Sequence, residues 1–320
     1  MLHINTLTFP RRNKLHPYMK LVYLQISFSG AKESATIEGT LVQSFRTIRV
    51  PEFDNPGWLW FNISHLKASM TASELVVRRR TLHRESLTVN VTIHSIGTEL
   101  NKLTISEPLD EKVLNLDEPP PFGYDIFNVS LILKQWEADI VGFQFQFTDD
   151  SGSLVIHDAL TQSLYCLNTS SPNEPLLIAY RIPLSGTSKT ENQPSRRDSQ
   201  QCSRVRKRKS LVHGTTPGEC SLHQWYVNLQ GPELQHRILE PHGYYANICR
   251  GHCPTETSGQ EKTEAQNPLW KTESQNTTIS QIPRCVPQTY SSVNMIYIAE
   301  SGDVSIESLK KMSIESCVCK

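Results

Sequence analysis

The 320-residue sequence lacks features that would point to several common classes of protein. Its formal net charge is zero, so no overall basic field draws the chain to nucleic acid or anionic lipid. No apolar run approaches the roughly 18 residues of a membrane span. The Gly-x-Ser-x-Gly, HExxH and phosphate-loop motifs are all absent. We therefore expect neither catalytic residues, a cofactor, a metal, nucleic-acid binding nor membrane insertion.

An apolar leader is also missing. The first 20 residues contain no apolar core of roughly 7–15 residues, and the next apolar stretch, LVYLQISF, is interrupted by Gln25. Against this, the chain carries five Asn-x-Ser/Thr acceptors for N-glycosylation, where about one or two would arise by chance. They are Asn62, Asn90, Asn128, Asn168 and Asn276. We expect a secreted, extracellular glycoprotein whose start at Met1 is incomplete.

Cysteine is scarce in the first two thirds of the chain and concentrated at its end. Six of the eight cysteines lie in the last 101 residues: Cys220, Cys249, Cys253, Cys285, Cys317 and Cys319. This pattern fits extracellular disulfides better than cytosolic thiols. A zinc site is the alternative, because CxxxC and CxC could offer four thiolates, although paired CxxC is the usual structural spacing. Cys166 is either a buried thiol or a partner of Cys202.

The segments around the six cysteines form a specific pattern. They read CSLHQWYVNL, ILEPHGYYANICRGHCP, RCVPQTYSSVNMIYI and MSIESCVCK, and 28, 3, 31, 31 and 1 residues separate successive cysteines. The region from Cys220 to Cys319 resembles the mature domain of the transforming growth factor beta superfamily, with gaps similar to those of the bone morphogenetic protein branch. The resemblance implies an elongated two-finger cystine-knot growth-factor domain.

A cystine-knot pairing follows from that resemblance: Cys220 with Cys285, Cys249 with Cys317 and Cys253 with Cys319. The last two bonds would close a ring of eight residues, and the first would thread it. Gly251 lies midway between two ring cysteines. Any larger side chain there would fill the hole, so the knot predicts glycine at this position.

The fingers are predicted as two antiparallel hairpins. The first pairs 225–229 with 238–248, and the second pairs 286–298 with 304–318 around a turn at 301–303. A helix is predicted over 267–281, but its polar interior makes it a poor partner-facing surface.

Arg284 stands where most members of the family carry the cysteine that links two subunits. In this respect the chain resembles the oocyte-secreted growth differentiation factor/bone morphogenetic protein branch and the left-right determination factors. We expect a monomer or a non-covalent homodimer or heterodimer.

The resemblance also implies partners: cell-surface serine/threonine kinase receptors that signal to SMAD proteins, and the chain's own propeptide. At the usual first-finger receptor contacts, Leu234 and Arg237 replace two tryptophans. The matched knuckle positions hold Glu240, Asn294, Ile296 and Ile306, and a small apolar residue is usual at the first of them. These departures keep open a secreted antagonist or decoy, or a structural knot protein without receptors.

Residues 1–183 are interpreted as a propeptide, with a helix over 15–28 that wraps the mature domain in superfamily members. Alternating apolar residues between 41 and 182 predict the strands of a sandwich, including one at 154–159. The three arginines at 78–80 are interpreted as a solvated strand end. The fold expected for the whole chain is therefore mainly β.

A polar linker spans 184–219 and precedes the cystine-knot domain at 220–320. Its RVRKRK run predicts proteolytic processing after the dibasic pair Lys207 and Arg208. The strict Arg-x-x-Arg pattern is absent, so we expect inefficient cleavage.

Overall fold

The structure is a computed structural model, and it describes thirteen stretches of the chain. These are residues 15–29, 39–50, 52, 55–80, 87–99, 102–135, 139–148, 157–167, 171–181, 218–231, 234, 237–254 and 283–320. The fold is mainly β, which confirms the predicted class. Within these stretches, no helix has the length and apolar character needed to cross a lipid bilayer.

Helix α1 spans Pro17–Ser29 and confirms the helix predicted near the start of the chain. Pro17 suits the first helical position, where its missing N–H is not needed. His16 caps the helix, because its Nδ1 accepts the N–H of Tyr18 at 3.1 Å. Four apolar side chains at helical spacing are buried: Tyr18, Met19, Val22 and Ile26. They define the face by which α1 packs.

Eight strands and two short helices follow among the described residues of the N-terminal region. In chain order they are β1 (Gly39–Ile48), β2 (Leu59–Asn62), β3 (Ala72–Arg78), β4 (Thr88–Glu99), β5 (Lys102–Asn115), β6 (Tyr124–Asn128), α2 (Ile132–Gln135), β7 (Ile140–Thr148), α3 (His157–Leu164) and β8 (Leu176–Tyr180). A 3-10 turn, Pro121–Gly123, precedes β6 in the proline-rich segment EPPPFG.

Strands β9 to β15 belong to the C-terminal region. They are β9 (Ser221–His223), β10 (Tyr226–Asn228), β11 (Ile238–Glu240), β12 (Gly243–Tyr245), β13 (Ile248–Arg250), β14 (Cys285–Ile298) and β15 (Val304–Cys319). The second predicted finger is therefore one long hairpin. The first is broken into short pairs, β9 with β13 and β10 with β12.

Strand β1 is the corner of the N-terminal sheets, and all of its pairings are antiparallel. Val42 to Arg46 pair with β8, which pairs in turn with β3, and β3 with β6. Thr47 and Ile48 turn away to pair with β2, which leads through β7 and β4 to β5. One strand thus belongs to both ladders, as at the corner of a β-sandwich.

The main apolar core is formed by side chains from both ladders. Phe143, Phe145 and Phe147 of β7 are fully buried there, as the alternating VGFQFQF pattern predicts. Gly142 directly precedes Phe143 and lies under the ring of Trp60. A Cβ at position 142 would lie 2.5 Å from the Trp60 ring, so this close packing requires glycine.

Two sequence predictions fail in this region. Helix α3 begins at His157, so the strand predicted over 154–159 is wrong at its end; residues 151–156 lie outside the described residues. Arg79 is not solvated: its guanidinium makes a bidentate pair with the Asp125 carboxylate and also donates to two backbone carbonyls. Both side chains are 4% exposed. This buried pair, with four hydrogen bonds from the guanidinium, links the end of β3 to β6.

We predict that Arg79→Ala destabilises the N-terminal region by about 3–5 kcal/mol, because it leaves the Asp125 carboxylate buried and unpaired. Urea-dependent hydrogen exchange of the β3 and β6 amides measures the loss. Arg80→Ala removes an exposed neighbouring arginine and is the matched control, with a change within about 0.5 kcal/mol. Equal effects of the two substitutions would contradict the assignment.

The chain divides into two compact units. One comprises Met1–Glu191, Leu229–His242 and Asn294–Leu309, and the other Asn192–Asn228, Gly243–Val293 and Lys310–Lys320. The tips of both fingers therefore belong to the same unit as the N-terminal strands. The cystine-bonded part of the C-terminal region belongs to the second unit.

Candidate functional site

Three disulfide bonds hold the second unit together. Cys220 is bonded to Cys285, Cys249 to Cys317 and Cys253 to Cys319, with Cα separations of 5.3, 5.7 and 5.6 Å. They join positions 65, 68 and 66 residues apart. In the chain-entropy account each such loop contributes about 4 kcal/mol, and less in sum because the loops overlap. The sulfur atoms that a zinc site would need are all in these bonds.

Gly251 is the tightest point of the knot. Its φ is +130°, and a Cβ there would lie 2.2 Å from the carbonyl oxygen of Glu219 and 2.7 Å from the amide nitrogen of Cys220. The chain entering Cys220 thus passes against the backbone of residue 251. Glycine is needed both for the backbone angle and for the space.

We predict that Gly251→Ala prevents the Cys220–Cys285 bond in most molecules, because the methyl group would occupy the path of the Glu219–Cys220 peptide. Mass mapping of non-reduced peptides measures the pairing. Gly231→Ala is the control, since a Cβ at position 231 meets no atom within 4 Å. Normal pairing in the Gly251→Ala protein would show that the ring has room to spare.

The tips of the fingers carry an apolar surface that is covered by α1. Ile296 of β14 and Ile306 of β15 are 0% exposed and pack in one cluster with the buried face of α1. Val42 of β1 and Ile178 of β8 complete the same cluster. Burying each such side chain contributes about 1.5–3 kcal/mol. We call Glu240, Asn294, Ile296 and Ile306 the knuckle.

Strand pairing attaches the second fingertip to the N-terminal region. Val304 to Ser308 of β15 pair antiparallel with Gly39 to Ser44 of β1, with an irregularity between Thr40 and Val42. The Ser44 hydroxyl also donates to the carbonyl oxygen of Val304 at 2.9 Å. The backbone hydrogen bonds of this fingertip are therefore satisfied by a strand from the other end of the chain.

Polar contacts fix α1 over the rest of the knuckle. The Tyr23 hydroxyl donates to the backbone carbonyl of Asn294 at 3.2 Å. The Lys20 ammonium lies 3.3 Å from the Glu240 carboxylate, whose side chain is 21% exposed. Because the lysine is more than half exposed, this ion pair orients the helix more than it stabilises it.

The two first-finger positions matched to receptor contacts are exposed to solvent, unlike the knuckle isoleucines. Leu234 is 42% exposed, and the Arg237 side chain is also exposed. Of the six residues matched to receptor contacts, the structure therefore covers Ile296 and Ile306 completely and leaves these two open to solvent.

His16 fixes the start of α1 through two hydrogen bonds of its buried ring. It is 2% exposed. Its Nε2 lies 3.0 Å from the carbonyl oxygen of Glu174, and its Nδ1 accepts the Tyr18 N–H. An N–H can only donate, so Nδ1 is unprotonated and Nε2 carries the proton.

Burial, with smaller contributions from Arg46 and Arg78, lowers the pKa of His16 to about 4. Protonation would place a third cation beside these two guanidiniums and remove the helix cap. The hydrogen bond to the Glu174 backbone carbonyl acts in the opposite direction and raises the pKa of His16 in part. Burial raises the pKa of the Glu174 carboxyl, although the Arg46 pair at 2.5 Å favours the charged form. Tyr18 and Tyr124 also lie beside His16, and burial raises the pKa of both tyrosines.

We predict that acid detaches α1. Because the pKa of His16 falls from 6.5 to about 4 on folding, its contribution is fully present above pH 6.5 and is lost as pH falls towards 4. The shift corresponds to about 3 kcal/mol. Protection of the α1 amides in hydrogen exchange, corrected for intrinsic rates, should fall about tenfold or more between pH 7 and pH 5.

His16→Asn is the matched variant for this prediction, since asparagine caps helices and does not titrate in this range. Its α1 protection should depend less on pH than that of the wild-type chain. Unchanged protection of the wild-type helix down to pH 4.5, or an equal loss in both proteins, would contradict the role given to His16.

Several predicted site residues fall outside the described residues: Lys207 and Arg208, Asn168 and Asn276, the helix over 267–281 and Cys202. Cys166 is a free, half-buried thiol. Sequence reasoning missed His16 and Lys20 as contact residues. The available signal was a histidine directly before a proline-initiated helix, and a single lysine in an otherwise apolar segment.

Comparison with known proteins supports the growth-factor interpretation of the C-terminal region. Residues 219–319 match the family described as the transforming growth factor beta like domain. The chain is 24% identical to the transforming growth factor beta-1 proprotein of Cyprinus carpio over 290 residues. This aligned stretch covers 85% of this chain and 71% of that protein.

Two other relatives match over shorter stretches. The inhibin beta chain of Drosophila melanogaster is 23% identical over 212 residues, 63% of this chain and 21% of the relative. Bone morphogenetic protein 15 of Ovis aries is 30% identical over 111 residues, 33% of this chain and 28% of the relative. The chain thus spans between about a fifth and just over a quarter of these two relatives.

A two-finger domain closed by three interlocked disulfides defines the class of cystine-knot growth factors. The matched domain and the proprotein relatives define the likeness more closely: residues 219–319 form a transforming growth factor beta like domain, and the chain is similar to growth factor proproteins of that family.

Proposed function

We propose that the chain is a secreted precursor whose C-terminal domain binds serine/threonine kinase receptors of its family and signals to SMAD proteins. In this proposal residues 1–183 are the propeptide, and cleavage after Arg208 separates it from the cystine-knot domain. The family match over residues 219–319 supports the growth-factor part.

The observation that carries the proposal is the complete burial of Ile296 and Ile306 under α1. A purely structural knot protein has no need to cover two fingertip isoleucines with a helix from the other end of its chain. An apolar patch that must later bind a receptor does, because a large exposed apolar patch favours aggregation and unintended binding. On this reasoning the propeptide masks the knuckle until the domain is released.

Masking predicts a dependence of activity on release. The C-terminal chain separated from its propeptide should raise SMAD phosphorylation in responsive cells, and the unprocessed precursor should raise it at least tenfold less, because exposing the knuckle requires α1 to detach. Lys207→Ala with Arg208→Ala should keep the secreted chain intact and inactive. Arg196→Ala with Arg197→Ala alters another basic pair in the same linker and is the control.

The outcome of that assay also separates the two candidate functions. A released domain that blocks SMAD phosphorylation by another ligand would favour the antagonist. One observation supports this second candidate: Glu240 places a carboxylate on the knuckle, and desolvating it against a receptor without a partner would cost a few kcal/mol. A released domain that neither raises nor blocks phosphorylation would contradict both.

We further predict that the released domain forms no disulfide-linked dimer. Arg284 replaces the linking cysteine, and all six cysteines of the domain are already paired within it. Any association is then non-covalent and depends on concentration. Light scattering of the released domain at micromolar concentration, repeated after tenfold dilution, should give a falling molar mass or a monomer throughout. A dimer that survives dilution would contradict weak association.

A further inference from the structure

We propose that Asn62 and Asn128 carry N-linked oligosaccharides in the folded protein and that Asn90, which has the same acceptor motif, carries none. All three are the first residue of an Asn-x-Ser/Thr motif. The structure gives their carboxamide groups two different environments. The difference concerns the Nδ2 atom, to which a sugar is attached.

Asn62 ends strand β2, and its side chain is exposed. Its Oδ1 accepts the backbone N–H of Ser64, the third residue of its own motif, at 3.0 Å. Because a backbone N–H can only donate, the atom that faces it is the carbonyl oxygen. The Nδ2 atom is therefore on the side of the carboxamide that is turned away from this contact.

Asn128 has the same arrangement at the end of strand β6, where it is also exposed. Its Oδ1 accepts the backbone N–H of Ser130 at 3.0 Å and the Ser130 hydroxyl at 2.7 Å. Its own backbone N–H donates to the Asp110 carboxylate at 2.8 Å, which fixes the residue in place. At both positions the oxygen is held by the chain and the side chain lies in solvent.

Asn90 lies within strand β4, between β5 and β7, and is half-buried. Its Nδ2 donates to the Glu111 carboxylate of β5 at 2.5 Å. A carboxylate only accepts, so the nitrogen faces the neighbouring strand, while Oδ1 is buried. An oligosaccharide on this nitrogen would lie against Glu111 and break a charge-assisted hydrogen bond.

The modification is a group transfer without redox change. The Nδ2 atom attacks C1 of the sugar of a polyprenyl-pyrophosphate-linked oligosaccharide and forms a C–N bond. The C1–O bond breaks, the polyprenyl pyrophosphate leaves with the electron pair, and an amide proton passes to a base of the transferase. The inference shares one premise with the proposed function, namely passage through the secretory pathway, and is independent of receptor binding.

The test uses the full chain expressed in mammalian cells behind a secretory leader and a short N-terminal tag that contains Asn-Gly-Thr. Release of glycans with peptide N-glycosidase in heavy-oxygen water labels each occupied position, and mass spectrometry reads the label. We expect label in most molecules at positions 62 and 128 and in the tag, and in few at position 90. Asn62→Gln and Asn128→Gln should each remove one glycan from the secreted protein.

Conservative variants separate loss of the acceptor from damage to the fold. Ser64→Thr and Ser130→Thr keep the motif and the hydroxyl, so label at positions 62 and 128 should persist, whereas Ser64→Ala should abolish it at 62. A labelled tag with unlabelled positions 62 and 128 would overturn the proposal. Equal labelling of positions 90 and 62 would overturn the distinction between them. Neither result bears on SMAD phosphorylation, so failure here and failure of the proposed function are separate.

Discussion

The antiparallel ladder between β1 and β15 is the interaction on which the arrangement of the first unit depends. A fingertip hairpin alone is a two-stranded ribbon with one apolar face, which is marginally stable in water. Pairing Val304–Ser308 with Gly39–Ser44 makes the hairpin part of a larger sheet. Its apolar residues then share one surface with those of β1 and β8, and a single helix, α1, covers them all.

The polar groups around α1 contribute differently according to how deeply they are buried. His16 and Glu174 are almost completely buried, so their protonation states affect stability. Lys20 and Glu240 are partly exposed and solvent screens their attraction. The buried Arg79–Asp125 pair plays no part in covering the knuckle. The pair joins β3 to β6 within the sandwich. It thereby supports the surface on which α1 packs.

Local patterns were sufficient to predict most strands. The alternation in VGFQFQF gave β7, and the apolar segment after Pro17 gave α1. Strand β5 was not predicted, because Pro108 and several charged residues interrupt its alternation, as an edge strand permits. Arg79 was misread because its neighbours at 78 and 80 suggested a solvated run. Nothing near it in the sequence indicates Asp125, which lies 46 residues away.

Only part of the candidate site was predictable, because its contacts also join residues that are distant in the sequence. Matched positions could be named from the cysteine spacing, but the sequence carries no local sign of what covers Ile296 and Ile306. Their cover comes from residues almost 280 positions earlier, and such contacts depend on the tertiary fold rather than on local propensity. Leu234 and Arg237 are also matched to receptor contacts of the family, yet both are exposed. A match to a family position therefore does not determine whether the side chain there is accessible.

The direction of the β1–β15 ladder has a mechanical consequence. Gly39 pairs with Ser308, so the start of β1 and the part of β15 that continues to Cys317 lie at the same end of the ladder. Tension applied between the N-terminal side of β1 and the disulfide-bonded end of β15 would load one hydrogen-bonded pair after another. Tension applied from the other end of β1, at Ser44, would load all of them at once. The same bonds would therefore yield to a small force in one direction and resist a much larger one in the other.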